Sequence, residues 1–236
     1  MFKYELHLHT KETSRCGHVW AADQVRTYKE LGFAGICVTD HFHNTFFKSL
    51  DCADDWDACM DVYLRGYRAA KEAGDRLGLD VILGLELRFP ENDSDYLVYG
   101  VDEAWLRANP WTTSMDHQSF YDRYRDEVLI IHAHPYRYCD IVYYDCVHGL
   151  EIANCNPRHD SRNHLALELA RANPHLIRTT GSDAHRPGDE GRGCVAFEER
   201  VRDSFEMKEA LVSRRFRNIS YVYEDIIKEG ERIGNV

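Results

Sequence analysis

YELHLHT, residues 4–10, reads as a β-strand whose alternation sends Glu5, His7 and His9 to one face and Tyr4, Leu6 and Leu8 to the other. Two imidazoles at i and i+2 project in parallel, and neutral imidazole is a ligand for zinc, iron and related divalent ions. A single His-x-His is equally at home on a polar strand surface. What gives it weight is the recurrence of similar groups at other expected strand ends: Asp40-His41, Glu86, His132-x-His134 and Asp183-x-His185.

Between these points the chain alternates strand and helix about seven times. After a polar loop at 10–20, AADQVRTYKELG is apolar at Ala22, Val25, Tyr28 and Leu31 and is stopped by Gly32, which predicts a helix. FAGICVTDH then supplies a short buried strand that delivers Thr39, Asp40 and His41 at its end. Residues 43–53 read as a loop, 54–77 as one long helix, and VILGLELRF as a third strand. Glu86 lies inside that apolar run, and a buried strand carboxylate must be paired, protonated or bound to a cation. DYLVYGV is a fourth strand opening on Asp95. A polar helix at 115–126, the strand VLIIHAHP, the strand GLEIANCN and the helix SRNHLALELARAN follow. LIRTTGSDAH is another strand, a short one is expected at Cys194–Phe197, and a helix at 204–214. The terminal IGNV reads as loose.

Repeated strand and helix predict an α/β protein with a parallel sheet, either doubly wound or closed. A barrel gathers all its strand ends at one mouth, whereas an open sheet collects only those at its switch point. Convergence of the His, Asp and Glu residues therefore favours a distorted seven-stranded (β/α)7 TIM-like barrel, one domain over 1–236. Neither G-x-G-x-x-G nor G-x-x-x-x-G-K-[ST] occurs, so dinucleotide and P-loop folds lack their usual support.

Composition bounds the function. A formal charge of −11 argues against non-specific binding to nucleic acid. No apolar run reaches the roughly 18 residues of a membrane span, and no leader-like start is evident, so a cytoplasmic protein is expected. The 8 cysteines fall at irregular spacings without C-x-x-C, which predicts reduced thiols, several of them buried.

Taken in order, H-x-H at the start, TDH after the second strand, a strand glutamate, A-H-P and GSDAH resemble the PHP (polymerase and histidinol phosphatase) family over nearly the whole chain. The resemblance implies a distorted seven-stranded barrel holding two or three divalent ions, here zinc, manganese or iron. It puts His7, His9, Glu86 and Asp183 on a first ion. His41 and His185 go to a second, with a donor from the first loop, and His134 to a third that shares Glu86. A bridging carboxylate suits that arrangement, because its two oxygens can serve two cations and offset their repulsion. The first loop, KETSRCGH, offers Glu12, Cys16 or His18, with Glu12 favoured as nearest the strand end and His18 next. Where the family commonly has a histidine at the start of the fourth strand, this chain has Asp95, an oxygen donor. His132 is expected to be a satisfied histidine below the metal layer, and Asp40 to orient an imidazole. His43, His117, His148, His159, His164 and His175 lack matching partners.

The activity implied is hydrolysis of a small phosphomonoester by a metal-bridging hydroxide, releasing phosphate, with no protein nucleophile. Arg137, Arg158 and Arg186, on the metal-bearing loops, are the candidates to grip the substrate phosphate, with Arg88 a weaker one. Phosphodiester cleavage on nucleotides, a non-catalytic metal-binding protein, and amide or lactone hydrolysis remain as alternatives.

Overall fold

The strands form where branched and aromatic residues run together, and the helices where apolar residues recur at helical spacing; a computed structural model describes residues 1–232. The expectation for IGNV lies outside the described residues. In chain order the elements are β1 (Phe2–Glu5), α1 (Ala21–Glu30), β2 (Gly35–Val38), β3 (His41–Phe42), α2 (Asn44–Lys48), α3 (Trp56–Tyr63), α4 (Arg65–Leu77), β4 (Asp80–Leu83), β5 (Leu85–Arg88) and β6 (Asp95–Tyr99). They continue with α5 (Glu103–Ala108), α6 (His117–Tyr124), β7 (Leu129–Ala133), β8 (Gly149–Asn154), α7 (Asn163–Ala172), β9 (Ile177–Gly181), β10 (Gly193–Phe197), α8 (Ser204–Val212), β11 (Phe216–Ser220) and α9 (Glu224–Arg232). Among the described residues no helix is long and apolar enough to cross a membrane.

The closed parallel barrel expected from the sequence is not what forms. The strands make two sheets, ordered β11-β10-β1-β2-β4 and β3-β5-β6-β7-β8-β9. Both are mixed: β1–β2, β2–β4, β3–β5, β7–β8 and β8–β9 run parallel, whereas β1–β10, β10–β11, β5–β6 and β6–β7 run antiparallel. Residues 89–94 join β5 to β6, too short a link for the crossover a parallel pair needs. The sheets meet at Gly84, where the run read as one strand bends into β4 and β5. A Cβ there would lie 2.9 Å from Thr39 Cγ2, so glycine lets the bend pack this closely on the Thr39 side chain. On the far side, β9 and β10 lie together without a ladder. The Ser182 hydroxyl takes the bonds instead, donating to Gly193 O and accepting from Gly193 N, each at 3.1 Å.

The single helix expected over 54–77 is interrupted at Leu64, and the cause is a side chain. Thr13 Oγ1 donates to Tyr63 O at 2.9 Å and accepts from Gly66 N at 3.1 Å, entering the helical ladder and separating α3 from α4. At Gly66 an added Cβ would sit 1.9 Å from Thr10 Oγ1. Threonine insertion and a missing Cβ thus seat the first loop directly on the helix pair. The region 43–53, read as a loop, contains α2, and α5, β11 and α9 went unforeseen. One apolar layer, including Tyr4, Leu6, Cys37, Ile82, Leu97, Tyr99 and Ile131, fills the space between the sheets. Two further clusters pack the helices against their outer faces.

Candidate metal centre

Ladder pairing of the first strand ends at Glu5, two residues before the first histidine. Leu6 joins the inner layer while Leu8 packs among Ala21, Val25 and Tyr28 outside it, so strict alternation breaks between them. Glu5 accordingly leaves the face assigned to it: its carboxylate accepts from Tyr28 Oη at 2.8 Å, His7 N at 3.0 Å and Ser182 N at 2.9 Å. Burial against α1 pushes its carboxyl up to about 7 despite those bonds.

His7 and His9 turn the other way, onto Glu86. Glu86 Oε1 lies 3.0 Å from His7 Nε2 and 3.2 Å from His134 Nε2, and Oε2 lies 2.6 Å from His41 Nδ1 and 3.4 Å from His9 Nε2. Asp183 Oδ1 is 3.4 Å from both His7 and His9 Nε2, and 3.3 Å from His185 Nδ1. Among the described residues, four overlapping trios have donor atoms close enough to share an ion: His9/His41/His185, His7/His9/Asp183, His7/Glu86/His134 and His41/Glu86/Asp95.

The residues fit divalent cations. Glu86 is 1% exposed, yet its Oε2 has no hydrogen-bond partner, nor has His41 Nδ1 beside it, because the two atoms approach out of alignment. Buried donor atoms that converge without forming a hydrogen bond are what a cation satisfies. Without ions the charges compensate internally. Burial would raise the carboxyls of Glu86 and Asp183, but His41, His7 and His9 hold Glu86, and His7 and Arg137 hold Asp183, well below the usual range. Burial opposes protonation of His7 and His41 too, but Asp183, Glu151 and Glu86 reverse that for His7, and Glu86 with the Cys16 thiol for His41, raising both well above an ordinary imidazole. His9 is driven well below it, by burial and by His185 and His41.

Two of these side chains sit on unusual backbone: His134 has φ 31° and Asp183 φ 51°. A positive φ is costly for residues other than glycine and persists where the surroundings dictate it. Strand alternation would put His132 and His134 on one face, and the left-handed turn at His134 separates them. His132 stays in the outer layer with its ring 4.6 Å from that of Tyr96, away from the donor trios. Asp183 O accepts from Asn156 Nδ2 at 2.9 Å and lies 2.9 Å from His185 Nδ1, which fixes its turn.

Several residues read as site groups do something else. Glu12 is a correction: its two oxygens accept from Ala21 N at 3.1 and 3.0 Å, placing its charge at the start of α1, where a helix favours an anion. His18 lines the cavity and is exposed, and its amide donates to His185 O at 2.7 Å. Cys16 is the first-loop residue whose side chain reaches the cluster, with its thiol facing His185 and His41; burial raises its pKa, but the two imidazoles bring it down to about 7. Asp95 is within the trio of His41 and Glu86, but both its oxygens also accept from Arg88, at 2.7 and 2.6 Å. Asp40 orients no imidazole directly. It accepts from Thr10 N, Thr10 Oγ1 and Ser14 Oγ at 2.7, 2.6 and 2.6 Å, and Ser14 Oγ in turn lies 3.3 Å from His9 Nδ1.

The arginines divide. Arg137 is buried and spent on the protein, with Nη2 2.8 Å from Asp183 Oδ2 and 2.6 Å from Asn154 Oδ1. Arg158 grips Asp189 through two bonds of 2.6 Å, and Asp189 Oδ2 accepts from the amides of His185 and Arg186. Arg186 is exposed at the rim, and its described bond is that amide. The cavity above the cluster holds about 350 Å3, and Tyr138, Asn156 and His159 complete its wall.

Sequence reasoning missed Glu151. Buried on β8, it places Oε1 3.1 Å from His7 Nδ1, while Oε2 accepts from His134 N at 3.0 Å and Asn154 Nδ2 at 2.8 Å. Its signal was available: an acid in the apolar run GLEIAN poses the same problem as Glu86 in VILGLELRF.

Comparison with known proteins agrees with this architecture. A two-domain protein from Bacteroides vulgatus, described as containing a predicted PHP-like metal-dependent phosphoesterase, superposes with a TM-score of 0.67 at 18% identity, over 98% of this chain and 69% of that one. An amidohydrolase from Chromobacterium violaceum, with bound sulfate and no metal, gives 0.53 at 15% identity, over 92% and 97%. No curated protein matches the sequence. The PHP domain model matches residues 5–207, most of the chain and every residue of the cluster, and the chain belongs to the PHP domain family.

Proposed function

We propose that the protein is a metal-dependent phosphatase that hydrolyses a small phosphomonoester and releases phosphate. The carrying observation is the convergence of five imidazoles with Glu86, Asp183 and Asp95, of which His41, His134, His185 and the three carboxylates line one small cavity and His7 and His9 lie buried beneath it. In this reading His7, His9, Glu86 and Asp183 hold a first ion, His41 and His185 a second, and His134 with Asp95 a third that shares Glu86. Two or three divalent ions, zinc, manganese or iron, would supply Lewis acidity and a water that ionises near neutral pH. The chain's own contribution is placement. Glu86 presents one oxygen to each half of the donor set, Arg137 fixes Asp183, and Arg158 with Asp189 fixes the segment carrying His185 and Arg186. Of the three arginines first considered for the substrate phosphate, Arg186 remains the one free to take it. Arg186→Ala is expected to raise KM for a phosphomonoester about tenfold, as loss of a charge-assisted bond would, with metal content unchanged. An unaltered KM removes it from the substrate site.

A volume of about 350 Å3 favours a small ester over a polymer end, and the charge of −11 is unsuited to a nucleic-acid backbone. The eight free thiols suit a reducing compartment, and we assign the protein to the cytoplasm. The test is turnover of p-nitrophenyl phosphate against bis(p-nitrophenyl) phosphate by protein loaded with each ion. Faster hydrolysis of the monoester, abolished by chelator and restored by metal, is expected. Preference for the diester would identify a phosphodiesterase. Metal binding without turnover of either would identify a metal-binding protein.

A further inference from the structure

The first loop is built to hold one side chain against the second donor group. Ser14 N donates to Thr10 O at 3.0 Å, Gly17 N to Ser14 O at 2.9 Å and Lys11 N to Val19 O at 3.0 Å. Asp40 pins the Thr10 and Ser14 side chains, and Gly17 passes so near Thr10 that a Cβ would lie 2.5 Å from its carbonyl oxygen. At the apex of this fixed loop Cys16 lines the cavity together with His41 and His185. His41 also faces Glu86 Oε2, the buried oxygen without a hydrogen-bond partner, and His9 stands within sharing distance of both His41 and His185. Where a further donor is needed beside His41 and His185, Glu12 is held at the start of α1, whereas Cys16 lines the same cavity wall as both imidazoles.

We propose that Cys16 supplies a thiolate to the ion held by His41 and His185, giving this position a mixed nitrogen and sulfur donor set. The proposal rests on the metal-centre reading above. It adds a chemical consequence, since thiolate selects zinc, cobalt or iron over manganese and magnesium, which prefer oxygen. The centre would then be heterogeneous, with oxygen-rich donors around Glu86, Asp95 and Asp183 and a softer position at Cys16.

Cobalt(II) loading of the chelator-stripped protein tests it, because a thiolate bound to cobalt gives an intense near-ultraviolet charge-transfer band that imidazole and carboxylate do not. The wild type is expected to show the band. C16S is expected to lose it and about one equivalent of bound ion per chain, while C16D recovers the equivalent without the band and shifts preference toward manganese. Cys16 lies on the surface, so these variants are expected to fold, with circular dichroism as the check. Cobalt bound without the band, or the band unchanged in C16S, overturns the assignment of Cys16 and leaves the metal centre standing. No cobalt bound at all overturns both.

Discussion

Glu86→Gln is expected to lower metal content by at least one ion per chain and to reduce kcat a hundredfold or more, with the fold intact. The geometry dictates the size of the effect. One oxygen of Glu86 faces His7 and His134 and the other faces His41 and His9, so its two ends serve two different donor groups. An amide retains the shape but turns one end into a donor, which cannot ligate and which points at imidazole nitrogens that need a lone pair or a cation opposite them. Substitutions one step removed from metals already cost about 10–100-fold in affinity, and loss of a shared ligand should exceed that. The ion-free protein should tolerate the change better. Removing the carboxylate takes away the main charge that raises His41, which reverts toward neutral imidazole, while Asp183 and Glu151 still stand against His7, so no bare cation is left buried. Elemental analysis alongside single-substrate kinetics checks this, and full metal occupancy in Glu86→Gln would refute the bridging role.

The clustering of the candidate donors was legible because metal chemistry demands particular residue types, and these recur at strand ends, where position follows from periodicity. His7, His9, His41, Glu86, His134, Asp183 and His185 all arrive together. What was not legible depends on details that periodicity does not carry. Closure of the sheet failed at Ser182 and Gly193, where a hydroxyl replaces a ladder, and no propensity announces that exchange. The break between α3 and α4 comes from Thr13, fifty residues away in sequence from the carbonyl it binds. Glu12 was chosen by its nearness to the strand end, whereas the loop curls so that Glu12 points back to α1 and Cys16 forward to the cluster. Arg137 and Arg158 were read as free cations, yet both are committed to carboxylates that position ligands. Sequence reveals which residues a site needs more readily than which of them the protein uses to hold the others.

That distinction predicts the second large effect, at Glu151. This carboxylate belongs to none of the four donor trios, but it sets two of their members at once: His7 through Nδ1 and His134 through its backbone amide, the amide of a residue held at φ 31°. Because His7 Nδ1 is engaged by a carboxylate, Nε2 is left to face Glu86 and Asp183 in the tautomer a metal requires. Glu151→Ala would release both constraints and leave the His134 amide and Asn154 Nδ2 buried without an acceptor, at about 1–3 kcal/mol for each. Glu151→Gln is the sharper probe. Its oxygen can still accept from His7 or from the His134 amide, but its nitrogen must then oppose the other donor, so one of the two ligands is misplaced while the volume is kept. The expected result is a metal dissociation constant raised about 10–100-fold in Glu151→Gln, with kcat at saturating metal falling less than in Glu86→Gln. A purely structural role would lower the unfolding midpoint of the ion-free protein and leave the affinity of the surviving folded fraction unchanged. Measuring metal affinity by competition with a chromophoric chelator separates the two, and equal affinity in wild type and variant would remove Glu151 from the centre.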